Sequence, residues 1–214
     1  MKPSRTLSLA ILAMLCASPV RSEPIVFSFT GHVAATNKPA VFPINQPIVG
    51  EFAFESTTPD ANPGNPEQGH YSGALTYFQF TSGSYSVRAD EANSANSGGD
   101  ILVNRASVFD EYQYQVFLIR STFQTPPWGP DVGNEQLVRM WLRLIDANRL
   151  APASETLPLT PPSLSDYTST TFGLIFEADP TGDPGIVYQL DTLESGPPSP
   201  VESGSWGLLK TLYR

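Results

Sequence analysis

The chain predicts an all-β fold: a two-layer antiparallel β-sandwich, jelly-roll-like, of about nine or ten strands, with almost no helix after a cleavable N-terminal signal helix. Three observations predict it. The 214 residues carry 21 prolines and 16 glycines, clustered between short runs of aromatic and β-branched residues. Those runs alternate apolar and polar side chains with period two, as a strand with one buried face requires. Internal repeats and heptad patterning are absent from the sequence, which leaves neither a solenoid nor a coiled coil to compete.

Residues 1–22 read as a secretory leader: Lys2 and Arg5 make a basic start, 7–16 is an apolar stretch, and Ala17, Ser18 and Ser22 supply small residues for the cut. The cut is expected after Ser22, with Ala17 as a second position. The apolar stretch is about half the length of a membrane-spanning helix. Cys16 suggests a lipid anchor, but Met14 and Leu15 stand where small residues precede such a cysteine, so it is read as part of the discarded leader. Cys16 is the single cysteine, so the domain expected over 23–194 forms no disulfide and relies on packing for its stability.

The strands follow in order. In 25–33, Ile25, Phe27, Phe29, Gly31 and Val33 share one face, and Ser28, Thr30 and His32 the other. In 48–55, Ile48, Gly50, Phe52 and Phe54 oppose Glu51 and Glu55. Segments 73–80 and 85–89 flank Gly83-Ser84, a tight-turn signal, so 74–89 reads as a hairpin. Further strands are expected at 101–104, 111–121, 136–145, 170–177 and 185–193. The segment 137–145 also fits a helix through Leu137, Trp141, Leu144 and Ile145. The wholly apolar alternate set Val138, Met140, Leu142 and Leu144 favours a strand. Long polar connections at 56–69 and 147–167 are where a binding role is most expected. Residues 195–214 are a Gly/Pro/Ser linker and a short terminal segment.

The net charge of −9 becomes more acidic still once Lys2, Arg5 and Arg21 leave with the leader. That balance excludes nucleic acid as a partner and disfavours anionic lipid, since both need a basic surface. Motifs for catalysis are missing: His32 and His70 are the only histidines, and no spacing completes a nucleophile, base and orienter. No cofactor is expected. Calcium is the one ion considered, through Asp60 with Asn62 or Asp179 with Asp183, although turns need these residue types for backbone reasons alone. Exposed aromatics suit sugar recognition, and Trp128 in the Pro-Pro-Trp-Gly-Pro loop, with Tyr112 and Tyr114 on the preceding strand, forms the candidate carbohydrate platform.

The segments IVFSFTGHV, IVGEFAFESTTPD, HYSGALTYFQFTSGSYSV, GGDILVNR with FDEYQYQV, LRLIDAN and ETLPLTPPSLSDY, spanning roughly 25–193, together resemble the uncharacterised exported β-domain of bacterial PEP-CTERM sorting-signal proteins. The resemblance implies an exported protein of exopolysaccharide-producing bacteria and carries over no catalytic residue. Pro200 to Leu209 reads as a degenerate or truncated start of the sorting signal, which Lys210 interrupts, or equally as a terminal strand of Trp206, Leu208, Lys210 and Leu212. Either way the mature chain is expected to be secreted, periplasmic or envelope-associated, with no stable membrane anchor. Three functions follow in order of expectation. The first is a non-enzymatic surface or extracellular-matrix-associated protein. The second is a module binding extracellular polysaccharide, and the third a glycoside-active enzyme with two facing carboxylates.

Overall fold

The computed structural model describes residues 24–90, 99–104, 112–119, 128–147, 156–177 and 185–196. The expected leader, 1–22, and the terminal segment, 197–214, lie outside them. Nine strands carry the fold: β1 (Ile25–Thr36), β2 (Pro47–Phe54), β3 (Gln68–Ser82), β4 (Tyr85–Asp90), β5 (Gly99–Asn104), β6 (Tyr112–Ile119), β7 (Leu137–Asp146), β8 (Ser169–Phe176) and β9 (Ile186–Ser195). A 3-10 turn at Leu164–Asp166 is the one helical element among the described residues.

Every pairing is antiparallel, and all nine strands belong to one sheet. β3 is long enough to serve two partners on one edge. Its residues 77–82 pair with β4, and 68–71 and 75 pair with β5, while the opposite edge pairs with β2. β4 and β5 therefore share one position, and the circuit runs β1, β2, β3, β5, β6, β7, β8, β9 and back to β1. The antiparallel all-β class is the one expected. A single antiparallel sheet curls until its ends pair, and, β4 and β5 aside, strands consecutive in sequence pair with each other. Pairing of sequential strands is the simplest wiring, and closure leaves fewer open edges for other chains to pair with.

The curl needs local irregularities, and the register shifts supply them at Thr30/Gly31 and Val33/Ala35 of β1, Tyr71/Leu75 of β3 and Leu137/Arg139 of β7. The β7 shift also explains why Leu137 and Met140 are both buried although strict alternation puts them on opposite faces. The β3–β4 hairpin turns through Gly83-Ser84 as expected, Gly83 taking the positive φ of 60° that a two-residue turn demands.

Opposite walls meet through rings. Phe78 of β3 stacks on Phe172 of β8 at 5.6 Å, and Phe29 of β1 touches both, at 5.7 and 5.4 Å. Phe27, Phe52 and Phe54 extend the cluster toward one end. Gly50 leaves the space that Phe29 fills, since a Cβ there would sit 2.3 Å from its Cζ. At the other end the β1–β2 connection folds inward: Phe42 is fully buried against Tyr85 and Phe176, while Lys38 lies over Phe176 and bonds Glu135 at 2.6 Å. Each fully buried Phe contributes about 1.5–3 kcal/mol from area alone, and such aromatic contacts add about 0.5–1.5 kcal/mol. Packing of this kind replaces the cross-links the chain lacks.

Candidate functional site

With the interior filled by rings, polar chemistry collects on the outer face. The registers align outward residues of β9, β1, β2, β3 and β4 into two rows. One runs Glu194, Ser28, Glu51, Gln79, Arg88; the next runs Thr192, Thr30, Val49, Thr81, Ser86. Period two within each strand and antiparallel pairing between strands make these rows obligatory once the Phe residues point inward. Over β1–β4 the rows form a groove of 640 Å³ lined by Ser28, Val49, Glu51, Gln79, Thr81, Ser86 and Arg88, with Trp128 at its border.

The side chains in the groove are ordered by each other. Glu51 Oε1 accepts from the Tyr77 hydroxyl at 2.9 Å and from Gln79 Nε2 at 2.7 Å. Both donors use the same oxygen, and among the described residues no hydrogen bond to Oε2 is seen. The hydroxyls pair across strands, Thr30 with Thr192 at 2.9 Å and Thr81 with Ser86 at 2.8 Å. Each pair spends one donor and keeps another, together with unused lone pairs. Between them Val49, 61 % exposed, is the apolar contact of the floor. Arg88 is exposed and engaged within the protein.

Trp128, at the centre of the expected carbohydrate platform, is buried at the border of the groove. Its ring is 3 % exposed because its carbonyl accepts from Arg88 N at 2.9 Å, which draws the loop onto the outer edge of β4. Tyr112 and Tyr114 stand in register with Asp146 and Leu144 of β7, and their side chains lie outside what is described. Among the described residues Trp141 is the half-buried tryptophan on the outer surface, its ring against Gly173 and under the Arg143 guanidinium at 4.8 Å.

His70 does come together with acidic and hydroxyl groups, but in a structural arrangement. Asp100 accepts from His70 Nε2 at 3.1 Å, Ser72 Oγ at 3.0 Å and Gly73 N at 3.0 Å. Histidine and serine both point at the carboxylate, so no base reaches the hydroxyl as nucleophilic catalysis needs. The carboxylate instead satisfies the irregular stretch of β3 at Gly73. His32 is tied to Asp191 at 3.1 Å on the exposed face of β1 and β9. Asp60 Oδ1 accepts the backbone N–H groups of Asn62 and His70, which closes a turn. Among the described residues no three His, Cys, Asp or Glu side chains converge as metal ligands do. Asp179 and Asp183 lie outside the described residues.

The groove residues were legible only as outward positions; Ser28, Thr30 and Glu51 read from the sequence as the watery side of their strands. The missed signal is that β1 to β4 each carry polar or small groups two apart, Ser28/Thr30, Val49/Glu51, Gln79/Thr81 and Ser86/Arg88, which only register aligns. Compared with protein-family models, characterised proteins and solved structures, the chain matches none.

Proposed function

We propose that this chain is an exported, non-enzymatic binding protein of the bacterial surface or extracellular matrix that holds a polysaccharide along the outer groove of β1–β4. The observation carrying this reading is the groove itself: hydroxyl, amide and carboxylate groups at regular inter-strand intervals around the exposed Val49. A sugar presents apolar C–H patches ringed by hydroxyls, and such a surface answers both. The sequence leader and the resemblance to exported domains of exopolysaccharide-producing bacteria support the location. A glycosidase is disfavoured by geometry. Glu51 and Glu194 sit two strands apart, about 10 Å by strand spacing, on one sheet face rather than across a cleft.

The test is calorimetric titration of the purified chain with soluble polysaccharides, alongside Val49→Glu. Because Val49 is exposed, the substitution leaves the core intact while placing a charge on the groove floor. Saturable binding weakened at least about tenfold by Val49→Glu supports the reading, tenfold corresponding to about 1.4 kcal/mol. Binding to no polymer, or binding indifferent to Val49→Glu, removes the groove from consideration. Release of reducing ends from any bound polymer would instead favour the enzyme.

A further inference from the structure

We infer that the groove selects neutral polysaccharides and rejects polyuronates, with Glu51 as the residue that sets this preference; the inference rests on the glycan reading and names its ligand class. The hydrogen bonding of Glu51 carries it. Tyr77 and Gln79 both donate to Glu51 Oε1, which fixes the carboxylate plane and, among the described residues, leaves Oε2 as an acceptor in the groove. A carboxylate held in this way accepts hydroxyl donors strongly, because its charge assists the bond and its orientation costs the ligand nothing. A ligand carboxylate has no proton to offer there and meets like charge instead.

The surroundings reinforce the sign. Glu194 stands next to Ser28 in the same row, so two carboxylates share that row with the single guanidinium of Arg88. The second row, from Thr192 to Ser86, carries no charge and offers hydroxyls that donate and accept. The chain as a whole, at −9, adds a background that repels polyanions. Neutral sugars lose nothing to this field and gain the Glu51 acceptor.

The experiment titrates the full chain, its leader removed, with galactomannan and dextran as neutral probes and with alginate and polygalacturonate as polyuronates, at low and at moderate salt. Glu51→Gln and Gln79→Ala are measured in parallel, with thermal unfolding as the check on folding. The wild-type chain is expected to bind at least one neutral polymer about tenfold or more tightly than either polyuronate, and the gap is expected to shrink with salt as exposed charges are screened. Glu51→Gln keeps an oxygen for Tyr77 and Gln79 but removes the charge, so it weakens neutral binding and narrows the gap several-fold. Gln79→Ala loosens the carboxylate and weakens neutral binding without admitting polyuronates. Equal or tighter binding of a polyuronate by the wild type overturns this inference while leaving the glycan reading standing, as does a Glu51→Gln variant with unchanged preference. Binding to none of the four polymers overturns both.

Discussion

Replacing Phe172 by alanine tests the ring-packed centre at its hub. The side chain is fully buried and meets Phe80 at 5.2 Å, Phe29 at 5.4 Å, and Phe78 and Tyr188 each at 5.6 Å, so three other strands, β1, β3 and β9, converge on it. Truncation removes the ring's transfer free energy and leaves a cavity whose walls belong to a closed circuit of paired strands, which limits collapse. The expected loss is about 3–5 kcal/mol, against a total stability of about 5–15 kcal/mol for a domain of this kind. At about 2–4 °C per kcal/mol the melting midpoint falls by roughly 6–20 °C. Phe172→Leu keeps most of the volume and costs under about 1.5 kcal/mol. Equilibrium urea unfolding followed by fluorescence measures both, and the denaturant slope stays constant if only stability has changed. A loss below about 1 kcal/mol for alanine, or a leucine variant as damaged as the alanine one, refutes the hub.

Asp100→Ala should cost about 1–3 kcal/mol in the same assay, because three donors lose one acceptor, while Ser72→Ala costs under about 1 kcal/mol; a large change in glycan binding in either would restore a functional role to the cluster. The difference in emission between the wild type and Trp128→Phe should be blue-shifted and poorly quenched by acrylamide, and ready quenching would contradict the buried ring. Tyr188 is pushed up to about 12 by burial, against which the nearby Ser82 hydroxyl pulls only weakly. Its folded value lies above its unfolded one, so its contribution is fully present below pH 10 and is lost as the pH climbs through 10 toward 12. Tyr188→Phe should flatten that alkaline decline. At neutral pH it should be nearly neutral or stabilising, because the buried hydroxyl has no well-formed partner.

How far the sequence carried depended on the scale of the interaction. Strand positions were legible because alternation is local: Phe27, Phe29 and Val33 went inward from β1, and the apolar set Met140, Leu142 and Leu144 went inward from β7. The hairpin at Gly83 was legible for the same reason. Gln68 and Gly69 of β3 read as loop, and the strand was expected only from Gly73, because the irregular stretch after Tyr71 breaks the period, and Asp100, which repairs it, is distant in sequence. The burial of Trp128 was hidden because a Pro-Pro-Trp-Gly-Pro loop looks exposed, and the backbone bond that pulls it onto β4 leaves no trace in composition. The groove was hidden more deeply, since its residues lie on four strands and only the cross-strand register brings Ser28, Glu51, Gln79 and Arg88 into line.

That alignment also sets the direction in which a glycan would lie if the proposed groove binds one. Neighbouring strands stand about 4.8 Å apart, whereas successive outward side chains on one strand are about 6.6 Å apart. A polymer crossing the strands therefore meets one polar group per inter-strand step, a spacing close to one sugar unit, and a polymer lying along a strand falls out of step after the first contact. The groove spans β1–β4, so affinity for a neutral oligosaccharide should rise with each added unit up to about four and then level off. Titration with a length series of one oligosaccharide measures this directly. A plateau at a single sugar would point to one pocket in place of a row, and affinity that keeps rising well past the width of the groove would place the contact along the strands or beyond them.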